Sequence, residues 1–518
     1  MIRKIILARR QNHCVLFFML LLMISLIVRL PYFFEDFFAP DEGIFILIGQ
    51  ALADGHLPYT LILDNKPPLG FAFFALVLSL VPDSLSFVRF AGSIMVGISA
   101  FFVYRIALRF MLTEHAFFAA TLFILSASLL INSGPLVMME HIALVPVLAA
   151  LLMLLDPGAN SWRYFLIGLL LGISVLIRTN LAYLLVAIVV AVSTLPPAKG
   201  WKRGIASALL VASGSGMVFA GVLLVYAVNG QARLLINAAI LVPMAYAESG
   251  LGIADMVLAM IFAAVRYELP MTFDSIQQVL TFVLWMMGLV GFWVVGIFGI
   301  IWLFLSEFRK TRSAILIGVF IFALCFGIVS SAHPWGHYLI QIAPFVALGA
   351  GYTVSLSRQR NISIVLVIMI IFGATLASLP HYHRLITDSL AGKQLYKGPS
   401  FQLADYLKSI QQPGDTLFMA SEDILVYWLM DTHPVTPVAG FPYLLVRAEK
   451  LLRPIYGPGV TTESLLEDIF AQQPTRIILR EKTLQKDFHD IQILHNEIEE
   501  HYQLEQIVAD RFIYRRKE

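Results

Sequence analysis

Cysteine is almost missing: Cys14 and Cys325 are the only two in 518 residues, and both lie in apolar runs. That excludes a disulfide framework and a cysteine-based metal site. Charge is scarce as well, at 14% of residues, where an ordinary soluble protein carries about 25%. The formal net charge is only +2 and the cations form no stripe, so nucleic acid is not expected as a partner. No small-residue cleavage site follows the first apolar run, residues 15–30. Although Arg3, Lys4, Arg9 and Arg10 precede it, that run is therefore expected to remain as a first membrane span.

What is abundant is apolar surface: 59% of the residues are hydrophobic. Repeated apolar runs between residues 15 and 379 are long enough to cross a bilayer. With the N-terminus cytoplasmic, the Lys/Arg bias orients them consistently. Residues 15–30 cross outward to a first outer loop, 35–83, in which the apolar piece 69–81 is too short to span and reads as an interfacial or re-entrant helix. Further spans are expected at 86–110, 117–131, 136–155, 205–228, 279–305, 314–329, 338–356 and 362–379. The long run 164–195 is broken by Arg178-Thr179-Asn180, and a charge in mid-bilayer costs several kcal/mol. Two short spans with Arg178 at their outer turn are the expected solution. Arg105, Arg109, Lys199, Lys202, Arg203, Arg309, Lys310, Arg312, Arg358 and Arg360 then all fall inside. The expected fold is a polytopic α-helical membrane protein with about eleven transmembrane helices, residues 1–380. A small extracytoplasmic α/β domain, residues 381–518, follows. In that second part 400–410 reads as a helix capped by Ser400 and 462–470 as another helix. Residues 416–420, 476–480 and 511–514 read as strands. No phosphate loop, triad spacing or metal-ligand cluster occurs there, so it is expected to support the membrane part or touch an acceptor.

The first outer loop differs most from its surroundings. It contains Pro40-Asp41-Glu42-Gly43, Gly55-His56-Leu57-Pro58-Tyr59 and Asp64-Asn65-Lys66-Pro67-Pro68-Leu69. If extended, Asp41 and Glu42 point to opposite faces, one able to face a cleft; equally, two acids before 43–52 suit a helix start. A residue before proline favours extended backbone, which puts Lys66 and Asp64 on one face. Lys66 is then presented to a lipid phosphate, or it snorkels from a short membrane helix. Glu140 follows Gly134-Pro135 at an outer span start and either acts or faces water. Arg178 needs an anionic or carbonyl partner. His333, Trp335, His337 and Tyr338 lie at another outer edge, where Trp and Tyr are expected as anchors. Asp41, Glu42, Asp64, Lys66, Glu140, Arg178, His333 and His337 all fall on the outer side in this topology, so one outer cleft can gather them.

These motifs, with Arg29-Leu30-Pro31 ahead of them, Gly168 to Arg178 and His337-Tyr338 followed by Pro344, resemble the GT-C glycosyltransferases. The closest branch is that of the protein O-mannosyltransferases and the bacterial aminoarabinose (lipid A) transferases. The resemblance covers the membrane part, the first loop most specifically. It implies a sugar donor carried on a polyprenyl phosphate, used at the outer face of the cytoplasmic (inner) membrane. The acceptor is a hydroxyl of a lipid, protein or glycan, and the anomeric centre inverts. By the same analogy Asp41, beside Glu42, is the general base. Lys66 and Arg178 bind the donor phosphate. Asp64, Glu140, Tyr59, His337 and Tyr338 contact substrate or acceptor. The analogy leaves room for a divalent metal, with Asp41 and Glu140 as its ligands. Glu140 and Arg178 stand where the branch more often has Asp and Lys, which weakens the transfer of metal binding and of fine phosphate geometry. The competing reading is a non-enzymatic membrane transporter or lipid flippase, in which ionisable groups and broken helices sit near the bilayer midplane.

Overall fold

The computed structural model describes residues 2–36, 40–129, 133–156, 161–195, 200–248, 250–252, 254–256, 276–306, 311–356, 378–440, 442–480 and 492–517. The span expected at 362–379, the cations Lys199, Arg309, Lys310, Arg358 and Arg360, and much of the polar loop 229–278 lie outside these or nearly so. The chain is a mainly helical, multi-pass membrane protein. Among the described residues four helices are long and apolar enough to cross a membrane, Cys14–Phe34, Leu85–Ala107, Trp201–Val228 and Arg312–Ser330. Shorter apolar helices accompany them, among them Pro68–Leu80, Met139–Leu155, Trp162–Val175 and Ala343–Leu356.

Packing gathers the chain into two compact units. One comprises Met1–Phe33, Arg89–Ala220 and Leu251–Gly392; the other comprises Phe34–Val88, Gly221–Gly250 and Lys393–Glu518. This grouping of contacts differs from the linear boundary at residue 380 expected from composition. The first outer loop packs with the C-terminal part of the chain.

In the first unit the helices approach closely through small residues, as apolar helices in lipid do. A Cβ on Gly168 would collide with the Val211 carbonyl, and one on Gly299 with the Gly349 carbonyl. The expected break at Arg178 is present. One helix ends at Val175, a 3₁₀ turn covers Thr179–Leu181, and Ala182–Thr194 continues. Charged side chains gather at the helix ends. Asp156 pairs with Arg109 at 2.6 Å and with Arg163 at 3.1 Å. Arg312 donates to the Leu195 and Leu154 carbonyls at 3.1 and 3.0 Å. Glu140 begins the helix that Asp156 ends, and Arg178 follows the helix that Arg163 begins. The two sets of charges therefore occupy opposite ends of the same helices.

In the second unit the helix Pro40–Ala53 packs on Pro68–Leu80. The C-terminal part carries a four-stranded sheet, β1 Leu417–Ala420, β2 Arg476–Arg480, β3 Tyr502–Val508 and β4 Arg511–Arg516. Its order is β1-β2-β4-β3, with β1 parallel to β2 and the other pairs antiparallel. β1, β2 and β4 fall where the apolar runs put them. β3 was not foreseen, because a register shift between Leu504 and Gln506 interrupts the alternation a half-buried strand shows. The helix Pro399–Ile410 is present, but its cap is not Ser400: the Ser400 N–H is itself capped, at 2.7 Å, by the Asp36 carboxylate. Thr462–Ala471 forms with Thr461 as N-cap.

Arg511 grips Asp423 with two hydrogen bonds, 3.1 and 2.6 Å long, and both side chains are buried. Removing one member leaves the other charge buried and unpaired, at a cost of about 3–5 kcal/mol. Asp423→Ala is expected to lower the thermal unfolding midpoint of the purified protein by several degrees. An unchanged midpoint would show that water reaches the guanidinium.

Candidate active site

The first loop builds its cluster from three turns of chain. Asp41 and Glu42 occupy the first turn of Pro40–Ala53, so the helix-start reading holds and the extended one does not. On a helix, neighbours diverge by about 100°. Glu42 is accordingly buried, while the Asp41 carboxylate meets Lys66, its Oδ1 2.8 Å from Nζ. Lys66 is not simply extended. Its N–H donates to Asp64 Oδ1 at 2.9 Å, an Asx turn, and its ammonium returns to the same oxygen at 3.4 Å. Proximity of Lys66 and Asp64 was thus expected correctly, by a different local geometry. The ammonium also lies 5.2 Å from the centre of the Phe45 ring, a cation–π contact. Tyr59, held at a φ of +76°, is buried, and its hydroxyl donates to the Lys66 carbonyl at 2.6 Å.

Asp64 is fully buried, and its Oδ2 has no hydrogen-bond partner among the described residues. Burial pushes its carboxyl above the ordinary carboxylate range; Lys66 pulls the other way, and Asp41 adds to the rise. Tyr59 is pushed well above the usual phenol range by burial first, then by Tyr226 and Asp64. It stays a neutral donor that pins Lys66.

The second cluster belongs to the first unit. Glu140 is completely buried in the first turn of Met139–Leu155. Arg178 Nη2 lies 2.9 Å from Glu140 Oε1, yet neither Glu140 oxygen has a directed hydrogen bond among the described residues. The contact is therefore an off-axis ion pair. His337 Nε2 stands 3.9 Å from the same oxygen. The Arg178 guanidinium lies 4.7 Å from the centre of the Tyr338 ring, and Trp335 stacks near-parallel on His337. Glu140, Arg178, His337 and Tyr338 thus lie together in the first unit, where His333 Nδ1 lies 2.9 Å from the Ser331 carbonyl, and Asp41, Asp64, Lys66 and Tyr59 lie together in the second.

Sequence reading passed over the residues that hold these sets. Arg29 is fully buried, with Ser93 Oγ and the carbonyls of Gly134, Pro135 and Leu136 around its guanidinium. It fixes the segment that leads to Glu140. His141 accepts the Met138 N–H at 3.2 Å on Nδ1, leaving Nε2 to donate to Ala127 O at 2.9 Å. Asn180 donates to Gln341 at 3.1 Å, tying the Arg178 turn to the His337 turn. A buried arginine beside a proline was the available signal. The named partners of Arg29 and Asn180 were not readable, because each lies more than 60 residues away.

The residues do not fit a divalent metal. Among the described residues no three His, Cys, Asp or Glu side chains converge. Asp41 and Glu140, the suggested ligands, each already face a fixed cation, at 2.8 and 2.9 Å.

Because the ionised form of Asp64 is disfavoured in the fold, its raised pKa contributes stability below the unfolded-state value, lost as pH rises through the folded-state value. Asp64→Asn is expected to raise the unfolding midpoint at pH 7. The gain should shrink as pH is lowered and wild-type Asp64 takes up its proton. A lowered midpoint at pH 7 would show that the Lys66 contact outweighs burial.

No curated protein sequence matches the chain. Three solved structures share its architecture. ArnT from Cupriavidus metallidurans in the apo state is 12% identical, covers 98% of each chain and has a TM-score of 0.61. The same protein bound to undecaprenyl phosphate is 13% identical, with a TM-score of 0.60 over 96% of this chain and 97% of that one. The archaeal oligosaccharyltransferase AglB from Archaeoglobus fulgidus, solved with an inhibitory peptide and a dolichol-phosphate, is 11% identical. It has a TM-score of 0.50 over 98% of this chain and 75% of that one. At such identities the likeness is one of fold. The chain has the GT-C fold, and its residues 65–226, from Asn65-Lys66 through Arg178 to Tyr226, match the family model of dolichyl-phosphate-mannose-protein mannosyltransferase.

Proposed function

We propose that the chain is a glycosyltransferase that moves a sugar from a polyprenyl-phosphate-linked donor to an acceptor hydroxyl at the outer face of the cytoplasmic membrane. The hydroxyl belongs to a lipid, a protein or a glycan. The observation that carries this reading is the Asp41–Lys66–Asp64 arrangement. A carboxylate and an ammonium lie 2.8 Å apart, directly ahead of the apolar helix Pro68–Leu80, and Lys66 opens the segment that matches the mannosyltransferase family. Undecaprenyl phosphate and dolichol-phosphate in the fold relatives support a lipid phosphate as the leaving group.

The chemistry follows from the charges. The acceptor hydroxyl gives its proton to Asp41 as its oxygen attacks the anomeric carbon. The bond from that carbon to the phosphate oxygen breaks, and the electron pair leaves on the polyprenyl phosphate. A positioned base contributes about 10²–10⁴-fold. Lys66 meets the charge that grows on the leaving phosphate, where fixed cations count most. Attack opposite the phosphate inverts the anomeric carbon. A lipid-linked donor keeps its tail in the bilayer, which suits a cation at the head of a short apolar helix. This reading assigns Arg178 to further phosphate charge, and Glu140, His337 and Tyr338 to the acceptor. Tyr59 acts through Lys66, Glu42 through the helix start it anchors, and Asp64 by holding the lysine turn. The gathering of Arg109, Asp156, Arg163 and Arg312 at one end of the helices supports a cytoplasmic location for that end.

With purified protein and polyprenyl-phosphate sugars, Asp41→Asn is expected to lower kcat by about 10²–10⁴-fold while folding and membrane insertion persist. Full activity would remove Asp41 as the base. Lys66→Ala is expected to act mainly on the donor, raising its KM, and a donor KM equal to wild type would remove the phosphate role.

A further inference from the structure

The first loop is stiff, and contacts from far along the chain join those made within it. Pro58, Pro67 and Pro68 have no N–H to donate, and Asp64 Oδ1 serves both Lys66 groups. Its position is set by chain more than 350 residues away in sequence. The Asp36 N–H donates to Lys397 O at 2.8 Å and the Lys397 N–H to Phe34 O at 3.1 Å. The Asp36 carboxylate then caps the helix Pro399–Ile410 through the Ser400 N–H at 2.7 Å. Two residues after Asp41, a Cβ on Gly43 would stand 2.9 Å from the Leu425 nitrogen and 3.2 Å from its Cα. The short helix Leu425–Leu429 therefore lies directly on the first turn of Pro40–Ala53. One residue before Asp64, the Leu63 N–H donates to Pro437 O at 2.9 Å. A Cβ on Gly440 would stand 2.9 Å from Ile62 Cγ2.

We infer that residues 397–440 form a positioning clamp that sets the spacing of Asp41, Lys66 and Asp64. Both carboxylates have an anchor to this segment within two residues in the chain, Gly43 for Asp41 and Leu63 for Asp64. The anchors are backbone hydrogen bonds and a glycine contact with no room for a methyl group, so their geometry is narrow. Loose packing of an accessory domain would tolerate side chains of several sizes at these points. The catalytic consequence rests on the glycosyltransferase reading; the clamp itself does not.

The test uses the full-length protein and two readouts. The first is acylation of Lys66 by an amine reagent, read by peptide mass spectrometry. In the wild type the ammonium is mostly buried and paired. Gly43→Ala pushes the helix start away from Leu425, and Asp36→Ala removes the cap. Both are expected to raise Lys66 labelling several-fold, whereas Asp36→Asn, whose amide oxygen still accepts the Ser400 N–H, stays near wild type. Hydrogen exchange of β2 is expected to be unchanged in all three. The second readout is transfer kinetics. Displacements of about 1 Å near reacting groups can cost about 10²-fold, so Gly43→Ala and Asp36→Ala are expected to lower kcat by more than they raise the donor KM. Lys66 labelling at the wild-type level in both variants overturns the clamp, as does an equal loss of protection across β2, which reports general unfolding. A wild-type protein that transfers no polyprenyl-phosphate sugar, with Lys66 labelling still responding, overturns the glycosyltransferase reading and leaves the clamp standing.

Discussion

One ammonium group organises the first loop. Lys66 Nζ stands 2.8 Å from Asp41 and 3.4 Å from Asp64, so a single positive charge faces two negative ones. Water offers little help, since Asp64 is fully buried, and burial drives its carboxyl toward the protonated form. A buried ion pair is weak support for stability, because desolvation offsets much of its attraction. The fold accordingly reinforces the lysine from other directions, with the Tyr59 hydroxyl on its carbonyl and the Phe45 ring beside its ammonium. The lysine is thus fixed at its carbonyl as well as at its ammonium.

The buried arginines of the first unit show the contrast. Arg29 sits among a serine hydroxyl and three backbone carbonyls, and Arg89 donates to the Tyr32 carbonyl at 2.6 Å. Carbonyl dipoles turned toward a guanidinium fix chain positions. His141 belongs to the same class, with both ring nitrogens tied to backbone. Arg178 differs: its neighbour Glu140 is an acidic side chain, buried and approached off the hydrogen-bond axis. Arg178 thus meets a buried acidic side chain beside His337 and Tyr338.

How much of this was legible depended on the range of the interaction. The break at Arg178, the short helix after Pro67-Pro68 and strands β1, β2 and β4 announce themselves locally, by a charge in an apolar run, a proline pair and apolar clusters. Charge bias put Glu140, Arg178 and His337 on one side of the expected topology, and the resemblance added Tyr338 to them. Features decided by a distant partner were not legible. Whether Asp41 begins a helix or lies extended turns on packing that includes Leu425. The cap of Pro399–Ile410 is Asp36, which no window around Ser400 contains. β3 is hidden by its own irregular register. The small sheet was foreseen as an accessory, and its attachment to the first loop had no signature in composition.

That attachment follows from the character of the loop itself. A segment that places carboxylates and a lysine beside an apolar helix needs few exposed donors, and prolines remove them. The same prolines deprive the segment of the backbone ladder that would fix its shape. Beyond the helix start that carries Asp41 and the local contacts of Asp64 and Tyr59 with Lys66, the segment is held by hydrogen bonds and contacts from elsewhere. In this chain they come from the Tyr226 hydroxyl, 3.4 Å from the Pro58 carbonyl, and from residues 397–440. Precision at a site built on a proline-rich loop therefore has to be supplied by a second layer of chain. Here that layer comes from the C-terminal part of the chain.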